Sequence, residues 1–296
     1  MKLSLIAGFV MLVLKTGAYL LTGSAAILGD AAESVVHVAA VIFATFSLYL
    51  ASKPADENHR YGHTKIAFFS AGVEGGLILI AAVFIVHESV RRWIAGSPPA
   101  NMDQGALLTA ATIIINWLLG AYLIRTGRKN KSLILVANGK HVLTDSHTSI
   151  GALVGLALVH FTKWPAWDPI CGLLMGGNIV ISGYGLIQQS VAGLMDVADP
   201  ELTRRLDEAL TRETARHGVS FHELRHRDSG GSHWIEVHLL FRDDISLSEA
   251  HRIATDIETA LQNSFERPLR ITSHLECEGD HKVLHPHESP PALKWT

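Results

Sequence analysis

The chain has 296 residues, 48% of them hydrophobic and only 18% charged, with a formal net charge of −3. That balance suits a membrane protein with a soluble appendage and excludes a nucleic-acid binder, whose phosphate partners call for a basic surface. Two cysteines far apart, Cys171 and Cys277, exclude a disulfide framework or a Cys-rich zinc ribbon, whereas 17 histidines are an excess of the commonest ligand for borderline metals.

Six stretches are long enough to cross a hydrocarbon core, which takes about 20 apolar residues. They are Leu3 to Leu21, Ser24 to Leu50, Ile66 to Val90, Gly105 to Ile124, Leu133 to His160 and Asp168 to Gln189. Met1-Lys2 ahead of an apolar run has the outline of a secretory signal, but Lys15 interrupts the run and no small-residue cleavage site follows. It therefore reads as the first span. Placing the N-terminus inside puts Lys2, Lys53, Arg60, Lys65, Arg125, Arg128, Lys129 and Lys131 on the cytoplasmic side, against Arg91, Arg92 and Lys163 outside. The bias predicts both termini in the cytoplasm, with a bacterial inner (plasma) membrane as the setting. Cys277 then stays a reduced thiol.

From about Ser190 acid and base are interspersed, and apolar residues become spaced rather than continuous. The expected division is a six-span domain over 1–195, a cytoplasmic domain over 196–278 and a disordered tail over 279–296. The middle part reads helix, strand, strand, helix, strand. Pro200 to Arg216 has helical spacing. Phe221 to Arg227 and Ser232 to Phe241 alternate, with Ile235, Val237 and Leu239 on one face and Trp234, Glu236 and His238 on the other. Ser229-Gly230-Gly231 marks the turn between them, Ser246 with Glu249 forms a capping box ahead of a second helix, and Leu269 to Leu275 is a last strand. The fold class is thus an all-α transmembrane domain followed by a small α+β (αββαβ) domain.

Ionisable side chains inside a span are expensive and usually line a pathway. The second span carries Asp30, Glu33 and His37, and the fifth carries His141, Asp145 and His147. Glu33 with His37 and His141 with Asp145 are each four apart, so each pair shares a helix face. Both pairs fall about 12 to 20 Å into a core about 30 Å thick, so they can meet near the midplane. Two imidazoles and two carboxylates suffice for a tetrahedral ion such as zinc. The structural alternative is a set of helix–helix hydrogen bonds, which matched spacing and depth disfavour. Lys15, at bilayer depth, either snorkels or pairs with a carboxylate, and Glu74 in the third span reads as a protonated packing residue, with a proton relay as the alternative. Asp56, His59 and His63 form a second candidate, with histidines four apart beside a carboxylate.

With Ser24-Ala-Ala-Ile-Leu-Gly-Asp30-Ala-Ala-Glu33-Ser34, His59-Arg-Tyr-Gly-His63-Thr-Lys65 and His141-Val-Leu-Thr-Asp145 in this order, the chain resembles the cation diffusion facilitator family, the zinc transporter family of metal/proton antiporters. The resemblance extends to about Glu278. It implies a homodimer in the lipid bilayer, a metallochaperone-like cytoplasmic domain, and transport ligands Glu33, His37, His141 and Asp145. It also implies a loop site at Asp56, His59 and His63, and a cluster of His222, His238, His251, His274 and Glu276 at the dimer interface. Lys65 resembles the family lysine that pairs with an aspartate after the sixth helix, here Asp196. Family members usually carry His or Asp where Glu33 stands and Asp where His37 stands, so the metal preference is the open question.

The expected function is secondary efflux of a divalent transition-metal ion, Zn2+ first, from the cytoplasm in exchange for protons. Zn2+ would also serve as a structural or regulatory ion. The alternative is a non-transporting metal sensor or dimer partner of the same fold. An intramembrane metalloenzyme is disfavoured, because no His-Glu-x-x-His helix occurs and four ligands leave no open position for a catalytic water. No Gly-x4-Gly-Lys-Ser/Thr loop is present to use ATP. His281, His285 and His287 lie beyond the resemblance and read as a tail without a specific role.

Overall fold

The computed structural model describes residues 2–129 and 133–279, with side chains outside 2–7, 127, 133–138, 140 and 141. Six long helices come first: α1 (Lys2–Thr22), α2 (Ala25–Ala51), α3 (Ile66–Ala95), α4 (Met102–Lys129), α5 (Leu133–Thr162) and α6 (Trp167–Leu194). After them come α7 (Pro200–His217), β1 (Ser220–Asp228), β2 (His233–Phe241), α8 (Leu247–Ser264) and β3 (Leu269–Cys277). The chain divides into two compact units, one made of residues up to Ser47 with Ser70–Gln189, the other of Leu48–Phe69 with the residues from Ser190 onward.

In the helical unit the usual arrangement of polar and apolar residues is inverted. Ile42, Ile80, Val83, Leu118, Leu174 and Ile181 lie exposed, while Asp30, Ser89, Thr109, Thr112 and Ser149 are buried. Such a surface is stable where the surroundings are hydrocarbon, and helices are the fitting element because each satisfies its own backbone there. Among the described residues five helices are long and apolar enough to cross a membrane, and the described apolar part of α1, Gly8–Thr22, is shorter. Helix contacts use small residues. A Cβ at Gly120 would meet the Gly139 carbonyl at 3.0 Å, and one at Gly139 would meet the Gly120 carbonyl at 2.9 Å, so α4 and α5 approach backbone to backbone. At the start of α2, buried Asp168 of α6 accepts from the backbone N–H of Ala25 (2.8 Å) and Ala26 (3.3 Å) and from the Ser24 hydroxyl. These are donors that a helix N-terminus leaves unpaired.

In the second unit the three strands form one sheet in the order β1-β2-β3, with β1 and β2 antiparallel and β2 and β3 parallel. A parallel return needs a crossover, which α8 supplies. Asp199 caps α7 through the Glu201 N–H with Pro200 in its first turn, and Gly218, at φ 65°, ends it. The Ser246 hydroxyl caps α8 by accepting from the Glu249 N–H. Ile235, Val237 and Leu239 point to the side where Leu206, Leu210, Ile257 and Leu261 from α7 and α8 close the core. The alternation of β2 therefore turns its other face, with Trp234, Glu236 and His238, away from α7 and α8.

Candidate metal centres

Within the helical unit, Lys15 of α1 and Asp30 of α2 form an ion pair at 2.7 Å, their side chains 3% and 1% exposed. Asp30 also accepts from Ser149 of α5, 2.9 Å from each carboxylate oxygen, and from Thr148 at 3.3 Å. Three helices thus converge on one carboxylate, as desolvation of a charge in a span requires. Glu33 follows one turn later on α2. Its Oε2 is buried and has no hydrogen-bond partner among the described residues. Lys15, Asp30 and Asp145 are all close enough to act on Glu33 electrostatically. His37 and Asp145 are half-buried and His147 is exposed, while the His141 side chain lies outside the described residues. Among the described residues, Glu33, His37 and Asp145 are not gathered within 4.8 Å as the other two groups are.

The first of those groups is Asp56, His59 and His63, in the loop after α2. Asp56 Oδ1 accepts from the backbone N–H of Asn58 (3.0 Å) and His59 (2.7 Å), an Asx turn that fixes the carboxylate. Gly62, at φ 86°, turns the chain so that His63 returns over the same carboxylate. His59 Nδ1 and His63 Nε2 then lie 3.2 Å from opposite oxygens of Asp56. The His59 backbone N–H, and after it the His59 ring and the Asn58 N–H, hold the exposed Asp56 carboxyl below the usual carboxylate range. An ionised carboxylate between two imidazoles is a fitting donor set for a borderline dication.

The second group lies on the face of the sheet turned away from α7 and α8. Register places His222 of β1 opposite His238 of β2, and His238 opposite His274 of β3, so three imidazoles occupy one rung. Partners on a rung share a face, which a one-residue slip would destroy. Glu276, two residues along β3, lies 3.0 Å from His222 Nε2, 2.8 Å from His238 Nδ1 and 3.5 Å from His274 Nε2. His238 Nδ1 is buried and not aligned for a hydrogen bond despite that short distance. His222 Nε2, by contrast, is hydrogen-bonded to Glu276 Oε2, so one carboxylate stands against both rings. His222, His238 and Glu276 have ligand atoms within 4.8 Å of one another. His274 is the more exposed neighbour, and His251 stands exposed on α8, outside this group.

Lys65 pairs with Asp196 at 2.7 Å, and Arg227 reaches the other oxygen of Asp196 at 3.7 Å. Sequence reasoning missed what Arg227 does besides. Its guanidinium lies over both Tyr61 (5.4 Å) and Trp234 (5.7 Å), whose rings meet edge-on at 5.1 Å, and Arg270 covers Trp234 as well. The loop carrying Asp56, His59 and His63 is therefore fastened to the face that carries the histidine rung. The pairing of Trp234 with Arg227 across β1 and β2 was the available signal, but Tyr61 is far away in sequence.

Comparison with known proteins matches the chain in two parts. Residues 1–195 match the family profile of the cation efflux transmembrane domain, and residues 198–278 match that of the cation efflux protein cytoplasmic domain. An uncharacterized transporter of Synechocystis sp. is 35% identical over 294 residues, covering 98% of this chain and 94% of that protein. The magnetosome protein MamB of Magnetospirillum gryphiswaldense is 29% identical, covering 82% of each chain. The cation-efflux pump FieF of Escherichia coli is 28% identical, covering 86% of this chain and 84% of its own.

Proposed function

This chain belongs to the cation efflux (cation diffusion facilitator) family of metal-ion transporters, and we propose that it exports Zn2+ from the cytoplasm in exchange for protons. It is a multi-pass integral membrane protein of a family that moves metal cations. In the proposed reading Glu33, His37, His141 and Asp145 hold the ion in the membrane. The observation that carries this is the buried, unpartnered Oε2 of Glu33 in a span, within electrostatic reach of Asp145 on α5. An unsatisfied polar group in hydrocarbon costs several kcal/mol, and a cation removes that cost.

Carboxylates and imidazoles bind metal only after losing protons, so metal and proton compete for one site and the competition is itself the coupling. Reached from the cytoplasm, the site loads metal and releases protons; reached from the outside, it takes protons and gives up metal. Imidazole-rich sites favour zinc over hard ions such as manganese, and the two groups in the second unit have the same chemistry. We assign them regulatory or structural zinc in a homodimer whose termini are cytoplasmic. The expected division is 1–195 for the membrane domain and 196–278 for the cytoplasmic one. In sealed vesicles containing the pure protein, zinc should drive proton movement, and Asp145→Ala should reduce it to background while still inserting. Near-normal flux in a well-folded Asp145→Ala protein rejects the ligand assignment.

A further inference from the structure

Lys15 is a cation inside a membrane span that does not reach toward an interface. Its Nζ lies 2.7 Å from Asp30, and both side chains are almost fully buried. A long lysine stem would normally carry its charge to water, so an inward-turned one is held by something specific. Asp30 is fully engaged, by Lys15 from α1 and by the Thr148 and Ser149 hydroxyls from α5. Glu33, one turn along on the same helix, has an oxygen with no partner among the described residues. Residues three apart on a helix are about 5–6 Å apart at Cβ. Two carboxylates of α2 thus stand side by side: Asp30 is taken up by an ammonium and two hydroxyls, while Glu33, which Thr148 also reaches, keeps one buried oxygen without a hydrogen-bond partner among the described residues.

We propose that Lys15 sets the affinity of the ion site by neutralising Asp30, so that α2 offers a passing dication one carboxylate, Glu33, rather than two. The inference rests on the reading that Glu33 and Asp145 hold the transported ion. A carboxylate already bound by an ammonium is a poor metal ligand, and the pair has no net charge to attract or repel the ion. Remove the lysine and α2 presents two anions to the dication. Remove the Asp30 charge instead, and a bare ammonium stands within reach of the site. The two changes therefore push ion affinity in opposite directions. A pair that served only to hold helices together would weaken the protein in one direction whichever partner was lost. Lys15 and Asp30 are positioning residues here, acting on the ion through the charge they leave or cancel.

The test is the zinc-concentration dependence of transport by the purified full chain in sealed vesicles. Asp30→Asn should raise the half-saturating zinc concentration about tenfold or more, as an unscreened charge at such range would. Lys15→Met should lower it by a similar factor and also lower the maximal rate, because an ion held more tightly leaves more slowly. Lys15→Met/Asp30→Asn should return half-saturation to near the wild-type value, and Lys15→Arg should leave it there. Single variants that both raise half-saturation overturn the inference. If Lys15→Met does not insert, the double variant still decides, because one no better than Asp30→Asn overturns it. Asp145→Ala run alongside separates two kinds of failure. Normal transport there overturns the ion site and this inference with it, whereas lost transport there with same-direction shifts in the pair overturns this inference alone.

Discussion

Glu276 is the carboxylate that stands beside the histidine rung, within 3.5 Å of three imidazole nitrogens. Replacing it with glutamine keeps its shape and removes its charge. The fragment Asp199–Glu278 contains the closed core built on Leu206, Leu210, Ile257 and Leu261, so it is the natural object for the measurement. A ligand bound only by the native state at 100 times its Kd stabilises it by about 2.7 kcal/mol. In a domain of this size each kcal/mol moves Tm by roughly 4–8 °C, so zinc should raise the fragment's melting temperature by about 10–20 °C over chelator. Glu276→Gln should lose more than half of that rise while melting near the wild-type temperature in chelator. His274→Ala should lose less, because its side chain is 66% exposed and stands furthest from Glu276. Lowering the pH through about 6.5 should shrink the rise, since protons compete for imidazole. A wild-type fragment that melts at one temperature with zinc and with chelator refutes the reasoning, and so does a Glu276→Gln fragment with the full rise.

Three further outcomes are expected. His37→Asp restores the residue usual in the family; transport should persist, with preference shifted from zinc toward manganese and weaker proton competition around pH 6 to 7, and unchanged zinc affinity and pH profile would make His37 a packing residue. Burial lowers the pKa values of His226 and His233, aided respectively by the neighbouring His233 and by Arg267. The unfolded chain then binds protons near pH 6.5 where the folded one does not, so stability of the chelated fragment should fall as pH drops below about 6.5, until the folded values are passed. His233→Gln should flatten that decline in pH-dependent melts, and an unaltered slope counts against the assignment. Trp234→Ala removes the Tyr61 edge contact and two guanidinium contacts, together about 1–3 kcal/mol. Hydrogen exchange in the full chain should show lost protection over the Tyr61 loop while the core of Leu206 and Ile257 keeps its own.

Local chemistry made much of the fold legible. Alternation in β2 named Ile235, Val237 and Leu239 as the inward side, and they are the buried ones. Ser246 with Glu249 marked the start of α8, where the Ser246 hydroxyl does accept from the Glu249 N–H. The long apolar runs marked the helices that face outward with Ile80 and Leu174. Contacts across elements were another matter. Periodicity puts Asp30, Glu33 and His37 along one helix, but which carboxylate Lys15 takes depends on how α1 packs, and no single-helix pattern encodes that. The same holds for Asp168, which caps a helix that begins 143 residues earlier in the chain. The rung of His222, His238 and His274 needs strand register, and register depends on the one-residue irregularity between His222 and Arg225, which composition does not announce. Lys65 with Asp196 came from family resemblance rather than from the residues alone, and the pair is formed at 2.7 Å.

Coupled exchange of zinc for protons is the central claim, and one measurement bears on it most directly. Purified full-length protein is sealed into vesicles with a pH-sensitive dye inside, and an inward zinc gradient is imposed without any pH gradient. Each ion carried in should drive protons out, so the lumen should become alkaline, at a rate that saturates with zinc and falls to background in Asp145→Ala. Zinc accumulation without any change in lumenal pH would contradict the exchange, and neither zinc accumulation nor proton movement in folded wild-type protein would leave a metal sensor in place of a transporter.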